Sequence, residues 1–307
     1  MASSPSLLGA AVRHGLVPVQ DVRAGRVRVR AVSRSNAVHV IEHDGSAKGF
    51  VKQAGAAARL DGDDTVATES AVLRSVAPLD LAPTLILQGG PGSVWMTALP
   101  GEELSVVRDP AALRPAAVDL GRALARLHRH VTSGDVPEAP RPWPLWEHLP
   151  PSMAGGTTMA GTRPILEALT DPVVRRALDL TAHHWRPSHL IHGDISPGNV
   201  IVRTTAASEV RVGLVDFELG GRGCPEHDLV SAASMLDDLS MPGNDLAALC
   251  LQAYWAACGP AMVTPGWRCV RALLTAWQVA LTLGEDGADD VSRLLTGALD
   301  AAEKVVP

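Results

Sequence analysis

The 307-residue chain is 46% hydrophobic and 20% charged, a globular composition with length for one large core or two modest ones. Its net charge of −6 is uneven: residues 1–36 hold six arginines (Arg13, Arg23, Arg26, Arg28, Arg30, Arg34) against one acid, Asp21, and the acidic remainder argues against a nucleic-acid-binding protein. No apolar run approaches the roughly 18–20 residues of a membrane span, and Cys224, Cys250, Cys258 and Cys269 match neither a zinc site nor a disulfide framework, which fits free thiols in a cytoplasmic protein.

The opening "MASSPSLLGAAVRHGLV" lacks a basic region followed by a sustained apolar one, so no signal peptide is expected. The arginine strip reads as a solvated face, or as a surface for phosphate or an acidic partner. "RVRVRAV" (26–32) alternates like a half-exposed strand, and 37–53 reads as two strands around an Asp-Gly turn. A helix is expected over 63–77, with Val66, Leu73 and Val76 on its inward stripe. Glu69 falls on that stripe too, and a charge on an apolar face needs a partner. Two more strands are expected near 83–88 and 93–99.

From residue 102 the pattern turns helical, beginning with a long amphipathic helix over 109–130. A Pro- and Gly-rich stretch, 134–164, carries Trp143 and Trp146 and reads as an extended loop. Strands return over 188–217, and helices fill most of the rest. No internal repeat is visible. The expected architecture is α+β: a small β-rich N-lobe (1–95), a hinge (96–101) and a larger, mainly helical C-lobe (102–307).

"LIHGDISPGNVIV" (190–202) sets His192, Asp194 and Asn199 around a Ser-Pro-Gly turn between apolar runs. Polar groups on a loop held by buried strands mark a working site, unless Asp194 and Asn199 merely bond the turn's own backbone. Strands 199–203 and 209–215 are expected to pair as a hairpin, bringing Asn199 near Asp216 of "VDFELG". An amide oxygen with a carboxylate makes a hard-oxygen site suited to Mg²⁺, which binds substrate phosphates. Asp194 is then free to take a proton from an attacking hydroxyl, the division of labour of phosphoryl transfer.

"HGDISPGN" followed by "VDFELGGRGCPEHDL" resembles the aminoglycoside phosphotransferase and choline kinase family, relatives of the protein kinases. "SRSNAVHV" is similar to the family's nucleotide-loop hairpin, "GFVKQ" to its ATP-lysine strand, "ALPG" to the interlobe hinge and "LARLH" to the long helix. The resemblance implies a bilobal protein-kinase-like fold and an ATP- and Mg²⁺-dependent kinase acting on an alcohol. It implies Asp194 as catalytic aspartate, Asn199 and Asp216 as metal ligands, and Lys52 on the α- and β-phosphates with Glu69 as its partner. Ser35, Asn36, Met96 and Ala98 fall where the family holds the nucleotide. His192 and Asp228 match residues that orient and brace the catalytic loop, whereas His128 reads as a packed helix histidine. The loop "SRSN" lacks the glycines that wrap closely around phosphates. Glu218 stands where protein kinases have the glycine of their DFG signature, which favours the small-molecule branch.

The acceptor implied is an antibiotic, sugar or amino alcohol. Glu285, Asp286, Asp289 and Asp290 would attract a polycation, or form a solvated run. A second reading keeps the chemistry and phosphorylates Ser or Thr of a natural-product precursor peptide, with a partner lyase eliminating the phosphate. A third is a pseudokinase scaffold without turnover. Neither nucleic acid nor membrane is an expected partner.

Overall fold

The computed structural model describes residues 4–32, 37–53, 64–89, 92–132, 135–149, 151–153, 160–205, 207–240, 244–259 and 263–305. Contacts gather the chain into two compact units. The first is Met1–Val107 with Thr132–Pro137 and Pro197–Gly220; the second is Arg108–Val131, Glu138–Ser196 and Gly221–Pro307.

The first unit is built on a five-stranded antiparallel sheet of β1 (Val27–Ala31), β2 (Ala37–His43), β3 (Ser46–Gln53), β4 (Leu85–Gly89) and β5 (Ser93–Thr97), in the order β1-β2-β3-β5-β4. The Asp-Gly turn behaves as expected: Asp44 and Gly45 both take positive φ, as the turn of a tight hairpin requires. β3 lies at the centre, with Lys52 opposite Val38 on β2 and Val94 on β5.

The arginine-rich N-terminus differs from expectation in holding two helices, α1 (Ser4–Arg13) and α2 (Val19–Arg23). Leu7 and Ala11 of α1 pack with Val17, Val27, Ile41, Val51 and Trp95 into a core. Arg26 pairs with Asp21, and Arg30 Nη2 lies 2.9 Å from Glu42 Oε1, so two of the arginines answer carboxylates of their own unit. The third helix, α3 (Thr65–Val76), begins where Asp64 accepts the Ala67 N–H at 2.9 Å. Val66, Leu73 and Val76 are buried, and Glu69 is buried with them.

A short strand β6 (Glu102–Glu103) adds to a hairpin formed later in the chain. That hairpin comprises β8 (Val200–Thr204) and β9 (Val210–Leu214), paired with Val200 opposite Leu214. Leu214 N–H donates to Leu81 C=O at 2.7 Å, so residues 197–220 pack with the first unit although they lie far along the chain.

The second unit is mainly helical, with α4 (Pro110–Arg129), α5 (Arg163–Thr170), α6 (Pro172–His183), α7 (Pro225–Leu239), α8 (Leu246–Cys258), α9 (Pro265–Leu283) and α10 (Ala288–Glu303). Its one sheet among the described residues pairs β7 (His189–Ile191) with β10 (Gly221–Gly223). The core collects Ile165, Leu178, Ile191, Val270, Leu273 and Trp277. α4 packs closely on α8 at Gly121, where a methyl group would overlap the Cys250 carbonyl oxygen. Cys224, Cys250 and Cys269 are buried free thiols and Cys258 is an exposed one. No helix among the described residues is long and apolar enough to cross a membrane.

Candidate active site

In the first unit, six of the residues singled out from sequence line one cavity of about 360 Å³: Lys52, Glu69, Met96, Ala98, Asn199 and Asp216. Val32, Val38, Ala47, Phe50, Ile201 and Val215 supply much of its apolar wall. Asn199 and Asp216 meet because the β8–β9 hairpin continues past its ladder: Val215 N–H donates to Asn199 C=O at 3.0 Å. Met96 is buried in β5, and the Ala98 N–H donates to Lys48 C=O at 3.0 Å, so that amide is already engaged. Ser35 and Asn36 lie outside the described residues.

Lys52 is almost fully enclosed, and its ammonium meets three carboxylates. Glu69 Oε2 lies 3.2 Å away, and Asp216 Oδ1 and Glu218 Oε2 are in direct contact. Burial works to lower the lysine's pKa, but the charges of Glu69, Asp216 and Glu218 outweigh it and hold the ammonium well above its ordinary range. Burial pushes Glu69 up to about 7 against the attraction of Lys52. Its other oxygen, Oε1, accepts the Phe217 N–H at 3.2 Å, tying α3 to the backbone beside Asp216. Asp216 itself takes φ of 68°, a left-handed conformation costly for a residue with a side chain and most often kept where function needs it.

Glu218 was not among the site residues read from sequence. Its signal was its place two residues after Asp216, but its contact with Lys52 joins positions far apart in the chain.

In the second unit, the stretch after β7 is fixed by one carboxylate. Asp228 Oδ2 accepts the His192 N–H at 2.7 Å and Oδ1 accepts the Gly193 N–H at 2.9 Å. His128 Nε2 also lies 3.1 Å from Oδ2, and His128 Nδ1 lies 3.0 Å from the Tyr254 hydroxyl. Burial alone would raise the Asp228 carboxyl, but the His128 hydrogen bond and nearby histidine charges bring it below the usual carboxylate range. Gly193 takes φ of 82°, which glycine adopts without strain, and Asp194 follows with its N–H donating to His192 Nδ1 at 3.2 Å. That bond makes Nδ1 an acceptor, so a neutral His192 carries its proton on Nε2. His227 closes the set, its Nε2 lying 3.1 Å from Gly193 O.

A larger cavity, about 660 Å³, is lined by Glu167, Asp171, Glu285 and Leu295 among others; of the residues singled out from sequence it holds Glu285 alone. Among the described residues, no group of three or more His, Cys, Asp and Glu side chains is arranged to hold a metal.

Residues 27–273 match the model of the phosphotransferase enzyme family, APH. No curated protein sequence matches the chain. Among solved structures, the choline kinase LicA from Streptococcus pneumoniae superposes with a TM-score of 0.60 at 14% identity, over 94% of this chain and 99% of that one. The macrolide 2'-phosphotransferase MphH from Brachybacterium faecium gives 0.54 at 21% identity, over 98% of each chain. The ternary complex of APH(2")-IIa with streptomycin and ATP gives 0.59 at 14% identity, over 98% of this chain and 99% of that one. The likenesses show the protein-kinase-like α+β fold. With the family match spanning most of the sequence, they lead to one conclusion: the chain belongs to the phosphotransferase enzyme family and is an ATP-dependent kinase with an alcohol group as acceptor.

Proposed function

We propose that this kinase transfers the γ-phosphate of ATP, with Mg²⁺, to a hydroxyl of a small molecule. The observation that carries this reading is the shared lining of one cavity by Lys52, Glu69, Met96, Ala98, Asn199 and Asp216. Apolar walls suit a nucleobase, and a lysine held charged by three carboxylates suits the phosphates.

Mg²⁺ fits the residues present. Asn199 and Asp216 offer two hard oxygens, and a divalent site of this kind draws its remaining ligands from phosphates and water. The three carboxylates around Lys52 leave an excess of negative charge that a cation would relieve. When bound, the ion would neutralise charge on the transferring phosphate. Lys52 would hold the α- and β-phosphates and Glu69 would hold Lys52. Asp194 would orient the acceptor hydroxyl and take its proton, on a backbone held by Asp228 through His192 and Gly193.

The choline kinase and the macrolide and aminoglycoside enzymes named above phosphorylate or bind small molecules, which favours an antibiotic, sugar or amino alcohol here. The test is to incubate purified protein with Mg·ATP and panels of such alcohols and of Ser/Thr peptides, and to identify products by mass spectrometry. Phosphorylation of small alcohols alone supports the reading. Phosphopeptides alone would replace it with the precursor-peptide function and its partner lyase. Nucleotide binding with no transfer or hydrolysis would indicate a pseudokinase scaffold.

A further inference from the structure

Arg271 of α9 is partly buried, and its Nε is enclosed with no hydrogen-bond partner among the described residues. An enclosed donor left unmet is costly, and an arginine offers five donors in a planar fork. Its surroundings lead back to the proposed base. Gly193, next to Asp194, presents its carbonyl to His227 Nε2 at 3.1 Å. The His227 ring packs on Trp267 with centroids 5.7 Å apart, and Trp267 precedes Arg271 by one turn of α9. One turn further, Thr275 Oγ1 is again enclosed without a partner. His227 Nδ1 is a third such atom. Because Nε2 faces a carbonyl, it carries the proton and Nδ1 is a free acceptor.

Arg271 Nε and Thr275 Oγ1 thus follow Trp267 along one face of α9, and His227 Nδ1 lies at the start of α7 on the ring that meets the Gly193 carbonyl. Arg271 is depressed by burial, while the charges of Asp194 and Asp238 act to hold it protonated. Neither carboxylate forms an ion pair with it, so the fork remains available to a ligand.

We propose that Arg271, flanked by His227 and Thr275, is the acceptor-anchoring subsite beside Asp194, and that it takes an alcohol bearing an anionic oxygen group. This rests on the reading of Asp194 as the base that receives the acceptor's proton. An oxyanion in bidentate contact with a guanidinium meets a short charge-assisted pair, whereas Asp194 and Asp238 oppose it from beyond ion-pair distance. A polycation would instead bring like charge onto Arg271. The carboxylate class and the phosphate-ester class share the required chemistry.

The test uses the full chain, with thermal unfolding followed in millimolar D-glycerate, glycerol 3-phosphate or glycerol, for the wild type, Arg271→Met and Arg271→Lys. The wild type should gain on the order of 2 °C more from an anionic probe than from glycerol. Arg271→Met should lose that difference, and Arg271→Lys, which keeps the charge without the fork, should keep part of it. A larger response to D-glycerate assigns a carboxylate, and a larger one to glycerol 3-phosphate a phosphate ester. Equal responses in the wild type and Arg271→Met, including no response in either, overturn the proposal. Calorimetric titration of Mg·ATP into the same proteins reports folding and the kinase reading separately. Loss of nucleotide binding in the wild type would sink that reading, while the anion comparison still decides the role of Arg271.

Discussion

Lys52 Nζ stands 3.2 Å from Glu69 Oε2, and neither side chain keeps more than 6% of its surface exposed. The two partners are not equally replaceable. Without Glu69 the ammonium retains Asp216 and Glu218, whereas without Lys52 three carboxylates face one another. Lys52→Ala should therefore weaken Mg·ATP binding on the order of 10²-fold, the scale of breaking a buried pair. Glu69→Ala should cost less, and the double variant little more than Lys52→Ala alone. Calorimetry on the four proteins measures the coupling; fully additive losses would show that the pair does not act as a unit.

Asp194 and Asp216 should fail differently. Asp216→Ala should damage metal-dependent nucleotide binding and turnover together. Asp194→Ala should keep near-normal Mg·ATP affinity while losing about 10²-fold or more in turnover, the scale of a general-base contribution. Nucleotide titration beside steady-state transfer separates them, and the reverse pattern would exchange their roles.

The Asp194 loop was legible because a short motif, H-G-D-x₄-N, sets its polar residues within eight positions of one another. Glu69 was legible as well, since helical periodicity puts a charge on a buried stripe whose partner must lie elsewhere in the fold. Glu218 and Arg271 were not, for a physical reason. Their significance lies in contacts made or left unmade across distant elements. The N-terminal helices were not read from the sequence, because the packing of Leu7 and Ala11 on the sheet that holds α1 in place is tertiary.

Acid should weaken the fold partly through His227. Burial is the main cause of its lowered pKa, working against the Asp228 charge and the Gly193 carbonyl, with Arg271 adding to it and Asp194 opposing it. The imidazole is thus neutral in the fold while the unfolded chain protonates near its ordinary value of about 6.5. Below that value the unfolded state binds the extra proton. The stability is complete above about pH 6.5 and is lost as pH falls toward the folded value, by roughly 1.4 kcal/mol per unit in the window. Urea unfolding across this range should show a shallower slope for His227→Gln, and an unchanged slope would count against a buried neutral histidine.

Gly121→Ala sets two effects against each other. Alanine favours a helix over glycine by about 1 kcal/mol. The added methyl meets the Cys250 carbonyl oxygen of α8, and overpacking of this kind typically costs about 1–3 kcal/mol. Backbone cannot swing aside as a side chain can, so the cost should win. Denaturant unfolding should give a lower midpoint, and a stabilised variant would mean that α4 and α8 separate at little cost.

The hold of Asp228 on two successive amides also governs how the Asp194 loop trades hydrogen with water. Loop amides ordinarily exchange through small local openings. The His192 and Gly193 N–H groups end on a carboxylate that is itself buried against α4 by His128. Releasing either hydrogen would remove one of the three partners of that buried charge, so both should be labelled by deuterium late, when α4 and α7 come apart. Loosening the contact of α4 with α8 at Gly121 should then appear as earlier labelling of Gly193, in a loop that the substituted residue does not touch.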